Sequence, residues 1–163
     1  MSRGYHKCYV AVIGAGEAGP QLLALAREVG RLIAQAGAVV LCGGLGGVMA
    51  AAAQGATEAG GVSIGILPGP DRRQANPHLT YCLPTNLGHA RNMIIAHAAE
   101  ALIAVGGGYG TISEAAIGLK LGKPVIALAV DWDLPGLRRA ASPQEAVALA
   151  LALCMGKRGA QRQ

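Results

Sequence analysis

Glycine clusters follow three of the strands that the sequence predicts, and a predicted helix follows each cluster. The clusters begin at Gly14, Gly43 and Gly106. Backbone N–H groups in such loops can approach an anion because no side chain intervenes, and the dipole of the following helix attracts negative charge. One such loop can be a mere tight turn, but three at the carboxyl edge of one sheet predict a phosphate-binding site. The residues expected to contact the ligand there are Gly14, Gly16, Gly43, Gly44, Gly46, Gly107, Gly108, Tyr109, Gly110 and Thr111.

The first cluster matches the G-x-G-x-x-G pattern of dinucleotide-binding folds, since glycines stand at 14, 16 and 19. An NAD(P) site would also need an acidic residue near the end of the second strand to hold the ribose. That strand ends in Leu41, Cys42 and Gly43, and no acid follows. An NAD(P)-binding oxidoreductase is therefore kept only as a further alternative.

Two charged residues fall at the edge of this predicted pocket. Arg91 stands beside an apolar run, where an arginine often meets an anion, although a solvated helix residue is the plainer reading. Glu114 follows the third cluster, and Thr111 with Glu114 also fits the capping box T-x-x-E, in which Glu114 would serve only the helix. His97 and Glu100 have weak metal-ligand spacing without a further histidine or cysteine nearby, so no metal site is expected.

Apolar runs bounded by glycine and proline predict strands that alternate with helices. Strands are expected at Tyr9–Ile13, Ala38–Leu41, Val62–Leu67, Leu79–Leu83, Ala101–Val105 and Pro124–Val130. Helices are expected at Leu22–Ala36, Val48–Ala59, Thr111–Leu121, from an Asn86 cap to about Glu100, and from Ser142-Pro143 onward. This alternation predicts an α/β, Rossmann-like, doubly wound and mainly parallel sheet with helices on both faces.

Length and composition favour one Rossmann-like nucleotide-binding domain over residues 1–163, with residues 158–163 as a disordered tail. Hydrophobic residues make up 52% and charged residues 14%, which excludes general disorder. The net charge of +5 is not gathered into one stripe and aromatic residues are 3%, so a small anion is a better partner than nucleic acid.

Several features indicate a cytoplasmic protein without a membrane partner. No signal peptide opens the chain, and the longest apolar run, Ala146–Met155, is shorter than the roughly 18 residues of a membrane span. The cysteines, which form no C-x-x-C motif, suit a reducing compartment; they are Cys8, Cys42, Cys82 and Cys154.

Two predicted helices carry more apolar surface than a monomer can bury. Ala146–Met155 is apolar all round, and Met93–Ala99 has little polar face. Soluble monomers rarely expose such surfaces beyond a few hundred Å². A homo-oligomer, either a dimer or a tetramer, is therefore expected, with helical surface at its interface.

The third glycine cluster, from Gly107 to Glu114, resembles the G-G-x-G-T-x-x-E signature of the LOG-like proteins, long labelled "possible lysine decarboxylases". Arg91 resembles the other signature residue of that family. The stretches I-G-I-L-P-G, T-N-L-G-H-A-R-N and A-V-G-G-G-Y-G-T-I-S-E are similar to a short branch that includes the molybdenum-cofactor carrier proteins. The resemblance covers about residues 8–154 and points to a Rossmann-like fold and to dimers or higher assemblies.

The characterised LOG enzymes are not lysine decarboxylases but phosphoribohydrolases. They cleave the N-glycosidic bond of a cytokinin nucleoside 5′-monophosphate and release the base and ribose 5-phosphate. The resemblance implies that Arg91 and Glu114 are the catalytic pair and that Gly107–Thr111 is the phosphate loop. Such cleavage passes through an oxocarbenium-like state, which a carboxylate can stabilise or supply with an activated water.

Two residues depart from the pattern of the hydrolases. Gly106 replaces the proline that usually precedes the two glycines, and Asn92 replaces the lysine that usually follows the arginine. Both features suit the carrier branch, which binds molybdenum cofactor without turning it over, and Asn92 is counted among the ligand contacts. The favoured prediction is a protein that binds a phosphorylated nucleotide-like or pterin-like ligand and requires no other cofactor. Phosphoribohydrolase activity is the alternative.

Overall fold

Strands and helices alternate along residues 7–160, the part of the chain that the computed structural model describes, with side chains described for residues 7–154. The strands are β1 (Tyr9–Gly14), β2 (Val39–Cys42), β3 (Val62–Leu67), β4 (Tyr81–Pro84), β5 (Ala101–Val105), β6 (Val125–Leu128) and β7 (Arg138–Ala140). The helices are α1 (Pro20–Gln35), α2 (Val48–Glu58), α3 (Arg91–Ala98), α4 (Tyr109–Lys120) and α5 (Pro143–Ala160), with 3-10 turns at Arg72–Gln74 and Gly88–Ala90.

The strands form one sheet in the order β4-β3-β2-β1-β5-β6-β7, and each neighbouring pair is parallel. The residues of β2, β5 and β6 are apolar and buried throughout, as expected for strands covered on both faces. The chain order reverses between β1 and β5, which is the switch point where such sheets bind ligands. The predicted doubly wound α/β fold is therefore confirmed.

Helices α1, α2 and α5 cover one face of the sheet, whereas α3 and α4 cover the other. The first core contains Val29 and Ile33 from α1, Ala52 from α2 and Ala146 from α5. The second contains Ile95 and Ala96 from α3 and Ala115 from α4, packed on residues such as Ile13 and Leu102. The apolar side chains of α5 thus face the sheet along much of the helix, and none of the helices in the described part is long and apolar enough to cross a membrane.

The predicted start of the third helix was wrong. Asn86 has a φ of 53° and does not cap a helix; a 3-10 turn, Gly88–Ala90, follows it before α3 begins at Arg91. Asparagine tolerates the left-handed conformation because its short side chain bonds locally, so the same residue type suits a turn as well as a cap. The shorter helix places Arg91 at its first residue, next to the strand ends.

Strand β7 was missed because Arg138–Ala140 is short, partly exposed and begins with two arginines. The connection from β6 to β7 contains no helix within the described residues. Its apolar side chains, Trp132 and Leu134 among them, pack against the α3/α4 core instead.

The predicted start of α5 is confirmed, since Ser142 Oγ accepts the Glu145 N–H at 3.2 Å. Helix α5 runs to Ala160, and the last three residues of the expected tail lie outside the described residues.

Glycine lets α1 and α2 approach closely. A Cβ added at Gly30 would overlap the backbone carbonyl of Ala52, which cannot move without shifting α2. We expect Gly30→Ala to lower the free energy of unfolding by about 1–3 kcal/mol, as measured by urea denaturation, because overpacking displaces the helix. Gly19→Ala is the control, since an added Cβ there meets no described atom within 4 Å. Equal midpoints for the two variants would contradict the prediction.

Candidate functional site

A cavity of about 290 Å³ opens at the carboxyl ends of β1, β2 and β5, beside the switch point of the sheet. Residues from six segments line it: the ends of β1 and β2, the start of α2, the turn before α3, the start of α3 and the start of α4. The lining residues are Val12, Ile13, Gly14, Ala15, Gly16, Gly43, Leu45, Met49, His89, Arg91, Asn92, Gly108, Tyr109, Gly110, Thr111 and Glu114.

Arg91 is a guanidinium almost fully buried at this cavity, with 8% of the residue exposed. Its Nη1 donates to Glu114 Oε1 at 3.4 Å and to Asn92 Oδ1, and its Nη2 donates to the Gly43 carbonyl at 3.3 Å. Among the described residues, none accepts a hydrogen bond from Arg91 Nε, although this atom is buried. Because buried N–H groups rarely go without a partner, this atom is an exception among the polar groups of the site.

Glu114 lies on α4 and is 6% exposed. Burial raises the pKa of its carboxyl to about 7, although the positive charge of Arg91 opposes the shift. Burial also lowers the pKa of the Arg91 guanidinium, which nevertheless stays charged. The two side chains therefore meet, as the sequence predicts, and near neutral pH the carboxyl is in part protonated. A carboxyl with a pKa near the working pH can either donate or accept a proton.

Asn92 joins the two helices that frame the cavity. Its Oδ1 accepts from Arg91, and its Nδ2 donates to Ser113 Oγ at 3.1 Å. Ser113 Oγ in turn donates to the Gly110 carbonyl at 2.7 Å. Asn92 thus fixes Arg91 relative to the first turn of α4, in addition to lining the cavity. Sequence reasoning did not single out Ser113.

The first turn of α4 is the part of the site best suited to an anion. The helix begins at Tyr109, two residues before the predicted start, and Gly108 at its N-cap supplies no side-chain hydrogen bond. N–H groups in a first helical turn lack intrahelical acceptors and carry the positive end of the dipole. Thr111 is the third helical residue and Glu114 contacts Arg91, so the capping-box alternative for this pair was wrong.

At several of the predicted positions, the packing of the protein itself explains why the residue is glycine, and no ligand is needed to explain it. A Cβ added at Gly14 would lie 2.5 Å from Val48, and one added at Gly43 would lie 2.6 Å from Arg91 Nη2. A Cβ added at Gly46 would lie 3.2 Å from the Gly16 carbonyl. Positive φ angles of 78° and 87° favour glycine at two further positions; these are Gly44 and Gly107.

Three other glycines have no such explanation. An added Cβ at Gly16 would meet only Met49, at 3.9 Å, and an added Cβ at Gly108 or Gly110 would meet no described atom within 4 Å outside the neighbouring backbone. None of the three has a positive φ. All three line the cavity, and the space around their Cβ positions is open.

A tryptophan supports the loop before α4. Trp132 Nε1 donates to the Gly107 carbonyl at 2.9 Å, and Arg139 Nη2 donates to the Trp132 carbonyl at 2.9 Å. The segment between β6 and β7 therefore contacts the third glycine cluster through the hydrogen bond from Trp132. The sequence did not predict this contact. The only sign of a special role for Trp132 is that it is the one tryptophan in the chain.

The structure gathers most, but not all, of the predicted site residues. Gly44, Gly46 and Gly107 do not line the cavity, whereas Leu45, Met49 and His89 do and were not predicted. Strand β2 ends at Cys42 without an adjacent carboxylate, so the acid expected of a dinucleotide site is absent there. The described residues contain no group of three histidine, cysteine or acidic side chains that could hold a metal ion.

Comparison with solved structures finds the same architecture in two proteins with related sequences. The molybdenum cofactor binding protein of Rippkaea orientalis is 38% identical, with a TM-score of 0.86, and the match covers 91% of this chain and 98% of that one. The molybdenum cofactor carrier protein of Chlamydomonas reinhardtii is 35% identical, with a TM-score of 0.84, and the match covers 91% of this chain and 99% of that one.

A relative of unknown function is closer in sequence. An uncharacterised protein of Archaeoglobus fulgidus is 49% identical over 138 residues, which are 85% of this chain and 91% of the relative. The sequence profile of the SLOG cluster4 family matches residues 7–153, nearly the whole of the chain. The protein therefore belongs to the SLOG cluster4 family, within the LOG-like superfamily.

Proposed function

We propose that this protein binds a phosphorylated ligand with a nucleotide-like or pterin-like ring in the cavity at the carboxyl edge of its sheet. The observation that carries the proposal is Arg91, a buried guanidinium that lines this cavity. Its acidic partner, Glu114, has a pKa of about 7, so near neutral pH the pair carries a net positive charge. A buried site with surplus positive charge favours an anion.

The first turn of α4 is the second element of the proposed site. Its free N–H groups and the open space at Gly108 and Gly110 let a phosphate approach the backbone closely. Arg91 lines the same cavity and would hold the same ligand, and Asn92 ties the start of α3 to α4. Backbone amides and one guanidinium are a donor set that suits phosphate oxygens.

Molybdenum cofactor is the specific cargo that the comparisons favour, because the Rippkaea and Chlamydomonas proteins are described as binding or carrying it. The cofactor is a pterin that bears a phosphate. The residues present suit its phosphate and its ring rather than its metal, since the cavity lining includes no cysteine and the described residues hold no metal-ligating cluster. We therefore propose that the chain carries such a cofactor by its organic part.

Phosphoribohydrolase activity is the second candidate, and the raised pKa of Glu114 is what favours it. A carboxyl that titrates near pH 7 beside a guanidinium can activate a water at a glycosidic carbon. Two features favour binding without turnover. Gly106 has a φ of 59°, which proline cannot adopt, so the loop differs from one that begins with proline. Asn92 is also neutral where the hydrolases carry a lysine.

We further propose that the protein is a homo-oligomer and that α3 supplies the interface. Met93 and Ile94 are 46% and 37% exposed on this helix, and Leu87, just before it, is 51% exposed. Large apolar side chains grouped in this way mark an association surface. Among the described side chains of α5, the exposed apolar ones are small, namely Ala148 and Ala152, because the larger apolar ones lie against the sheet or are partly buried.

Substitution of Gly108 tests the placement of the phosphate. Gly108→Val should weaken binding of AMP by about tenfold or more in calorimetry, since a lost hydrogen bond to a charged group costs about 1.5–3 kcal/mol. The fold should tolerate the side chain, because an added Cβ meets no described atom within 4 Å. Gly19→Val, which is equally open and does not line the cavity, is the matched control. Wild-type affinity in Gly108→Val would place the phosphate elsewhere.

Substitution of Glu114 distinguishes carrier from hydrolase. If the protein releases free base from AMP or an N6-substituted relative, Glu114→Gln should reduce the rate by about 100-fold or more, because it removes the acid–base group. The amide keeps the shape of the side chain, so phosphate binding should persist in calorimetry. Chromatography of the free base is the measurement. Equal turnover by the variant would exclude a catalytic role for Glu114, and absence of turnover by the wild type would leave binding alone.

The α3 interface can be tested by light scattering at micromolar concentration and moderate salt. We expect a dimer or tetramer for the wild type, and a shift towards monomer for Met93→Glu because a charge would be buried without a partner. Ala24→Glu introduces the same charge at an exposed position of α1 on the other face of the sheet and should leave the assembly intact. A monomeric wild type would refute the proposal.

A further inference from the structure

Tyr109 is an exposed aromatic residue at the mouth of the cavity. It is the first residue of α4, it lines the cavity, and 92% of it is accessible. The whole chain contains four tyrosines, one tryptophan and no phenylalanine, so few rings are available to bind a ligand. A large ring that contributes so little to the core, at the edge of a binding cavity, is a candidate for ligand contact.

The residues on either side of Tyr109 leave space around its ring. Gly108 and Gly110 add no side chains, and an added Cβ at either position would meet no described atom within 4 Å outside the neighbouring backbone. Neither glycine has a positive φ, so backbone conformation does not require glycine there. The open surroundings favour access to the ring by a flat molecule.

We propose that Tyr109 is a specificity-determining residue, whose phenol ring stacks on the flat heteroaromatic ring of the ligand while the phosphate lies at the first turn of α4. This inference rests on the proposed phosphate site and adds the residue that would recognise the ring of the ligand. Stacking on an aromatic side chain is tolerant of ring identity because every base has a π face. A purine and a pterin share the chemistry that Tyr109 would recognise.

The spacing of the two contacts limits the ligand further. The ring of Tyr109 and the N–H groups of Gly110 and Thr111 belong to the same helical turn. A ligand that uses both must join its ring to its phosphate by a short linker, such as one sugar or a small side chain. A sugar phosphate without a ring would make only the phosphate contact, which provides a direct comparison.

The experiment compares three probes by calorimetry on the full chain: AMP, neopterin monophosphate and ribose 5-phosphate. The measured quantity is the ratio of the Kd of each ring-bearing probe to that of ribose 5-phosphate. Because stacking strengthens binding by about tenfold per ring, Tyr109→Ala should raise this ratio by about tenfold for the preferred probe. Tyr109→Phe keeps the π face and should preserve the wild-type ratio. The exposure of Tyr109 means that neither variant should unfold, which thermal denaturation verifies.

The outcomes separate the two proposals. A raised ratio in Tyr109→Ala with rescue in Tyr109→Phe supports stacking, whichever of the two ring-bearing probes shows it. A ratio unchanged in Tyr109→Ala overturns the inference even if all probes bind. Equal affinity of the wild type for ribose 5-phosphate and both ring-bearing probes also overturns it, while the phosphate site stands. A wild type that binds none of the three overturns the proposed phosphate site and the stacking inference together.

Discussion

The burial of one guanidinium constrains the whole carboxyl edge of the sheet. Arg91 donates hydrogen bonds to the Gly43 carbonyl after β2, to the Glu114 carboxyl on α4 and to the Asn92 amide oxygen on its own helix. Removing a charge from water costs several kcal/mol unless hydrogen bonds replace the lost hydration. The loops and helix ends around the cavity are therefore tied to a single side chain, and Gly43 is a glycine because an added Cβ would meet that guanidinium.

The same constraint explains the electrostatic character of the site. A fully ionised carboxylate would balance the charge of Arg91, but burial raises the pKa of Glu114 towards neutrality. Near neutral pH the pair is thus short of negative charge, and a bound anion would supply it. A carrier and a hydrolase share this requirement, which is why both chemistries can arise on one framework. In the proposed function the two would differ in whether the ligand contains a glycosidic bond that Glu114 helps to cleave.

Long apolar strands and glycine-bounded helices could be predicted from sequence, because their burial on both faces leaves a continuous hydrophobic signal. Strand β5 and the α/β alternation are examples. The errors fall where local chemistry is ambiguous. Asn86 suits both a cap and a left-handed turn, and β7 is a three-residue edge element with two arginines, so neither carried a distinctive pattern.

The site could be predicted in part for a related reason. Glycine clusters after strands locate the ligand edge, but sequence does not reveal which glycines the packing itself requires. Gly14 and Gly108 look alike in the sequence, yet only the first would clash with neighbouring residues if it carried a side chain. Trp132 comes from a distant segment, and its contact with Gly107 depends on the tertiary fold.

The single tryptophan gives the molecule an internal optical reporter. The indole of Trp132 donates its N–H to the carbonyl of Gly107, within the glycine cluster that precedes α4. Indole emission depends on hydrogen bonding and on the polarity around the ring, and the chain has no second indole to obscure the signal. Rearrangements of that loop should therefore change the intrinsic fluorescence of the unlabelled protein, and stopped-flow spectroscopy can follow their kinetics.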